Sequence, residues 1–200
     1  MFDLGGVFID WDPRHLYRKL FGGDEQAMEL FLATVCTPEW HAQQDLGKPV
    51  AEACAELAAR YPGQAALVWA WAERNEEMVG GVLEGSVQVL TDLKAAGVPC
   101  YALSNMEREA WERRLGLYDF LRAFDGYVIS SLVGLAKPDP RIFALAIEKF
   151  SLEPERTLFV DDRQANVDVA AALGFQALVF RSPEGLREEL GRAGLALAGT

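Results

Sequence analysis

Three features of this 200-residue chain predict an α/β fold: a mostly parallel sheet with helices on both faces, plus an inserted all-helical block. After about residue 82, short apolar runs alternate with longer amphipathic stretches, as in a parallel sheet covered by crossover helices. Residues 13–81 instead carry only helical periodicity. Acidic and hydroxyl residues stand just past the apolar runs, where open parallel sheets collect their ligands.

Met1 and Phe2 form a very short apolar lead into Asp3, and Gly5-Gly6 follows as a turn. A buried strand usually runs about five or six residues, so the natural chain is expected to begin earlier, with a few more apolar residues. Asp10 and Asp12 are expected to cap a helix that starts at Pro13. Residues 13–20, 25–34, 50–60 and 63–78 read as helices with no strand between them, and Leu16, Leu20, Met28, Leu32, Val35, Leu57 and Val68 offer them a core. Pro38, Gly47-Lys48-Pro49 and Pro62-Gly63 punctuate the block. Residues 40–45 read as a loop whose Trp40 either anchors the block or reads a polar leaving group; Trp69, Trp71 and Trp111 read as packing residues. Periodicity alone fits a lid and a layer of padding equally well.

Beyond the block, residues 84–96 form a helix closed by Gly97. Residues 98–103 form a strand with Pro99 near its start, and 127–130 form another. Residues 141–150 read as helix, 157–160 as strand, 165–173 as helix, 176–180 as strand and 183–192 as a last helix. Residues 193–200 are expected to fray.

A net charge of −11 argues against a nucleic-acid partner, because the densest basic pairs, Arg18-Lys19 and Arg113-Arg114, are short. No apolar run reaches the length of a membrane span, and no basic-then-apolar leader is present. Cys36, Cys54 and Cys100 are odd in number and widely spaced, which fits a reducing cytoplasm better than a disulfide or zinc framework. His15 and His41, the only histidines, make no Ser/His or Cys/His pattern.

Four islands carry coherent chemistry: Asp3, Ser104-Asn105, Lys137-Pro138 and Asp161-Asp162. Asp3 is a candidate nucleophile toward phosphorus, giving an acyl phosphate. Two anions approach only when charge is neutralised; Asp3 and Asp162, with the Gly5 carbonyl, are candidate ligands of Mg2+, a hard cation that prefers oxygen. Ser104 and the Asn105 amide, at an expected helix start, are candidate holders of phosphate oxygens. Lys137 supplies a compact positive charge, and Pro138 keeps the following chain from pairing as a central strand. Asp161 is expected to orient Lys137 or the metal ligands, and Asn166 to hydrogen-bond there. The ligand this set suits is a small phosphorylated molecule.

In this order, Asp3-Leu4-Gly5-Gly6-Val7, Leu103-Ser104-Asn105, residues 134–140 (Gly-Leu-Ala-Lys-Pro-Asp-Pro) and residues 159–166 (Phe-Val-Asp-Asp-Arg-Gln-Ala-Asn) resemble the four motifs of the haloacid dehalogenase superfamily. The third and fourth are specific, whereas a lone Asp-x-Gly is weak. The resemblance implies a Rossmann-like core over 1–12 and 82–200 and a helical cap over 13–81, which favours the lid. It also implies a magnesium-dependent phosphatase, similar to small sugar-phosphate phosphatases and to the phosphatase domain attached to epoxide hydrolases. Gly5 departs from the pattern, since typical phosphatases carry there an Asp that serves as acid and base. Such help is worth roughly 10²–10⁴-fold. A good leaving group needs less of it, and water, Asp10, Asp12, His41 or Asp45 are candidate substitutes. The alternatives are a 2-haloacid dehalogenase, in which Asp3 attacks carbon without a metal, and a catalytically impaired protein that binds a phosphorylated metabolite. Gly5 does not support the dehalogenase, whose usual residue there is aromatic.

Overall fold

The structure, a computed structural model, describes residues 1–192; the fraying expected of residues 193–200 lies outside the described residues. Its six strands are β1 (Ile9–Trp11), β2 (Val79–Val82), β3 (Tyr101–Ser104), β4 (Gly126–Ile129), β5 (Leu158–Asp161) and β6 (Gln176–Val179). The first five helices, α1 (Arg14–Leu20), α2 (Glu25–Thr34), α3 (Pro38–Asp45), α4 (Val50–Arg60) and α5 (Ala65–Glu73), lie between β1 and β2. The others alternate with the later strands: α6 (Glu84–Ala95), α7 (Arg108–Leu117), α8 (Ser130–Val133), α9 (Pro140–Phe150), α10 (Gln164–Ala172) and α11 (Pro183–Arg192).

Residues 1–3 lie in the middle of the sheet. β3 pairs in parallel with β4, and β5 with β6. Phe2 bridges the two pairs, lying parallel to Ala102 on one side and Val160 on the other. Phe2 N donates to the Tyr101 carbonyl and Leu103 N to the Phe2 carbonyl, both at 2.8 Å; Asp3 N donates to the Val160 carbonyl at 2.8 Å and Val160 N to that of Met1 at 3.0 Å. The order is therefore β4, β3, residues 1–3, β5, β6, with Asp3, Ser104 and Asp161 at neighbouring carboxyl ends. Side chains alternate across this sheet. Phe2, Ala102 and Val160 face a core with Leu4, Phe8, Leu90, Trp111 and Leu186, whereas Met1, Leu103 and Phe159 face another with Phe143, Ala170 and Phe175. Helices thus cover both faces of an α/β sheet. Each of these large side chains, fully buried, contributes roughly 1.5–3 kcal/mol.

The inserted helices carry a core of their own, built from Leu16, Tyr17, Met28, Phe31, Leu57, Val68 and Trp71. Trp40 is buried within it and donates Nε1–H to the Ala53 carbonyl at 3.3 Å, so it anchors the block rather than presenting its ring to a ligand.

Several sequence expectations shift. The stretch 40–45 is helix α3, not a loop: Thr37 caps it by accepting from Trp40 N at 3.2 Å, Pro38 sits in the first turn and Glu39 complements the helix dipole. Its polar sequence lacks the apolar period that reveals a helix. A strand was not expected near residue 80, yet β2 pairs antiparallel with β1 through Ile9↔Val82 and Asp10↔Gly81; Gly80-Gly81 hid it, since glycine is depleted in strands. The expected helix 63–78 stops at Glu73, and a short 3-10 turn, Asn75–Met78, follows. Asp12 does cap, its Oδ1 accepting from Arg14 N at 2.9 Å, whereas Asp10 pairs with His15 at 3.0 Å.

Candidate active site

Asp3 directly follows Phe2 at the centre of the sheet, and the Leu4 amide donates to its Oδ1 at 2.7 Å. Lys137 lies on the loop between α8 and α9, yet its ammonium is buried in the core. It stands 3.0 Å from Asp3 Oδ1 and 2.6 Å from Asp161 Oδ2, with the Phe159 ring 5.6 Å away. A cation this deep must be matched by carboxylates and fully hydrogen-bonded. Asp161, wholly buried, is held in turn by Asn166 Nδ2 at 2.9 and 3.0 Å and by the Arg163 amide at 2.9 Å.

Asn105 clasps the Lys137 loop. Its Nδ2 donates to the Lys137 carbonyl at 2.9 Å, and its Oδ1 accepts from the Lys137 amide at 2.8 Å. The helix expected to start at Asn105 begins only at Arg108, because Asn105, Met106 and Glu107 form a linker after β3. Ser104 Oγ is buried beside Asp3, where it pulls the carboxyl pKa down, yet it has no partner at full hydrogen-bond geometry among the described residues. An orphaned hydroxyl there is what an incoming phosphate oxygen would satisfy.

Oxygens of Asp3, Asp161 and Asp162 lie within 4.8 Å of one another. Burial raises the Asp3 carboxyl above the usual range; Lys137 pulls it down and Asp161 pushes it up again. Asp162 is likewise raised, by burial first and by the Asp161 charge second. Three crowded acids with one cation among them form an all-oxygen donor set suited to a hard divalent ion. The Gly5 carbonyl accepts no hydrogen bond among the described residues and remains free as a further oxygen.

A glycine is required at position 6 by backbone and space. Its φ is +69°, and a Cβ there would lie 2.5 Å from Asp162 Oδ2. Gly6→Ala is expected to cost about 1–3 kcal/mol, read as a lowered urea midpoint, and to displace Asp162. Nothing lies within 4 Å of a Cβ built at Gly5, so space does not explain the missing acid.

A second cluster has no signature as a unit in the sequence. His41 Nε2 lies 3.7 Å from Glu107 Oε2 and 3.8 Å from Asp45 Oδ1. The His41 ring stacks on Trp11, with centroids 5.1 Å apart, and leans against Trp71. Glu107 is buried and accepts from Asn75 Nδ2 at 3.0 Å, while Arg114 donates to Asn75 Oδ1 at 3.2 Å. Burial opposes ionisation of Glu107, but His41 and Arg114 outweigh it and hold the carboxyl at about 2. Burial also disfavours charge on His41, and the two carboxylates overcome it, raising the pKa. Sequence reading missed Glu107 because nothing in the sequence ties residue 107 to residue 41. A cavity of about 490 Å³ is lined by Trp11, Leu32, Cys36, His41 and Arg163, and by none of Asp45, Glu107 and Asp162. Another, of about 790 Å³, lies at the opposite, amino edge of the sheet between Pro99 and Leu152 and touches none of these acids.

A sequence profile of haloacid dehalogenase-like hydrolases matches residues 1–174. The chain belongs to this family of hydrolases. Acyl-CoA dehydrogenase family member 10 of Mus musculus is 29% identical over 206 residues, covering 95% of this chain, which spans only 18% of that protein's length. Sesquiterpene phosphatase astK of Aspergillus oryzae is 26% identical over 181 residues, 89% of this chain and 87% of that protein. A HAD family enzyme from Bacteroides thetaiotaomicron, solved as a magnesium complex, has the same fold, with a TM-score of 0.71 at 22% identity over 90% of this chain and 91% of that one. Family members of this fold thus combine a Rossmann-like sheet with a helical cap. Among the described residues, no helix is long and apolar enough to cross a membrane.

Proposed function

We propose that this hydrolase is a magnesium-dependent phosphatase that cleaves a small phosphorylated metabolite through an aspartyl phosphate on Asp3. The observation that carries the reading is the buried chain Asp3–Lys137–Asp161, which holds a carboxylate in place beside a cation and an orphaned Ser104 hydroxyl. A carboxylate fixed this way attacks phosphorus in line, while Ser104 and Lys137 hold the phosphoryl oxygens. Asp3, Asp162 and the Gly5 carbonyl are the residues that would hold Mg2+. When bound, the ion supplies positive charge that lets two anions meet. Asp161 and Asn166 orient Lys137, and the Asn105 clasp fixes the loop that carries it. Residues 13–81 act as the cap over a core of 1–12 and 82–200, and the cavity between Trp11 and Arg163 receives the leaving group.

The test is a panel of phosphate monoesters assayed with and without magnesium. Hydrolysis of at least one ester, lost on chelation and restored by Mg2+, is the expected result. Asp162→Asn raises the magnesium concentration needed for half-maximal rate by roughly 10-fold or more, the scale on which groups at a metal site affect affinity. Undiminished turnover after chelation contradicts the metal assignment. Chloride release from 2-chloropropionate without magnesium would instead favour the dehalogenase reading, and binding of an ester with no turnover would favour an impaired binder.

A further inference from the structure

We propose that Asp45, on the last turn of α3, is the proton donor and acceptor for the leaving group, the role that Gly5 has no side chain to fill. The inference rests on the phosphatase reading above and assigns its missing acid.

Four candidate groups came from the inserted block or its entrance, and the structure separates them. Asp12 is spent on capping α1 and on Arg14, and its side chain is 36% exposed; Asp10 is paired with His15 and is 49% exposed. His41 sits between Trp11 and Trp71 with Nε2 turned toward two carboxylates. Asp45 alone combines a shielded position with a free oxygen. Its side chain is 13% exposed, and Oδ1, 3.8 Å from His41 Nε2, is buried with no hydrogen-bond partner among the described residues.

Its place in the fold puts it over the reacting ends of the strands. α3 packs against α8, which directly follows β4, and a Cβ built at Gly47 would lie 3.0 Å from the Ser131 carbonyl. Glu107, which completes the cluster, lies only three residues beyond Ser104. The charges that act on Asp45 come from His41 on its own helix, Glu107 on the loop after β3, Arg163 beside Asp162, and Lys137 beside Asp3. Asp45 therefore shares an electrostatic neighbourhood with the Asp3 centre. Burial leads in raising its carboxyl to about 6, with Glu107 adding and His41 opposing, so both the neutral and the ionised form are within reach near neutrality.

The steps balance. As an Asp3 oxygen forms its bond to phosphorus, the bond from phosphorus to the ester oxygen breaks. The electron pair goes to that oxygen, which takes the proton of neutral Asp45 and leaves as an alcohol. The Asp45 carboxylate then takes a proton from water as the water oxygen attacks the phosphorus of the aspartyl phosphate. Inorganic phosphate departs, Asp3 regains its carboxylate and Asp45 is neutral again. Neither step needs an oxidant or a reductant.

The test compares esters that need an acid with esters that do not. Glycerol 2-phosphate expels a poor alkoxide, whereas p-nitrophenyl phosphate expels a stable phenolate. In Asp45→Asn, the ratio of kcat/KM for glycerol 2-phosphate to that for p-nitrophenyl phosphate is expected to fall by roughly 10²–10⁴-fold, the range of general acid–base help. A ratio within about threefold of the wild-type value overturns the assignment, whether both rates fall together or neither falls. If the variant fails to fold by circular dichroism, a series of substituted phenyl phosphates on the wild-type enzyme decides. A shallow dependence of rate on leaving-group acidity supports a built-in donor, and a steep one refutes it. Wild-type enzyme that hydrolyses none of these esters with magnesium removes the phosphatase reading itself, and the proposal with it.

Discussion

Asp3→Asn is expected to abolish turnover, with kcat falling at least about 10⁴-fold, because an amide cannot form the acyl phosphate and nucleophile deletions cost on this scale. Asn keeps the shape of the side chain and the hydrogen bond from the residue-3 amide to the Val160 carbonyl. Loss of rate then reports chemistry and not collapse, which a near-normal urea midpoint would verify. Brief exposure to labelled phosphate ester followed by acid quench should leave label on the wild-type chain and none on the variant. A variant that keeps even one-hundredth of the wild-type rate contradicts a covalent role for Asp3.

Lys137→Met is the second large effect, and it is expected on stability as well as on rate. The ammonium is buried at 3.0 Å from Asp3 and 2.6 Å from Asp161. Its removal leaves two carboxylates facing each other with no compensating charge. Breaking a buried ion pair from one side costs about 3–5 kcal/mol, a large share of the stability of an average domain. The loss should appear as a clear drop in urea midpoint at pH 7. It should shrink in Lys137→Met/Asp161→Asn, where one of the stranded charges is gone. An unchanged midpoint in the single variant would show that the triad does not carry charge as described. Turnover is expected to vanish in both variants, because both lack the cation proposed to hold the phosphoryl oxygens.

Much of this architecture is legible in the chain, for identifiable reasons. Strand runs such as 157–160 and helices such as α9 announce themselves by period and by end signals, here Asp139 capping and Pro140 in the first turn. Four polar islands at the ends of such runs suffice to bring Asp3, Ser104, Lys137 and Asp161-Asp162 together, because a parallel sheet leaves few alternatives. What the chain conceals is of two kinds. α3 and β2 lack the usual pattern, one being too polar and the other too rich in glycine. The His41–Asp45–Glu107 cluster depends on how the inserted block sits against the loop after β3, and no local signal encodes that packing. Asn105 is an intermediate case: its motif is plain, but its side chain clasps the Lys137 loop, and no helix starts at its amide.

Residues 1–3, at the centre of the sheet, act as its keystone. On one flank its backbone holds β3 and β4, on the other β5 and β6, and among the described residues no other segment joins the two ribbons within the sheet. Asp3, the proposed nucleophile, is the last stone of that span. The spacing between the Ser104 hydroxyl and the acids of β5 is therefore held by the backbone of Met1–Asp3, which ties the candidate site to the unity of the sheet.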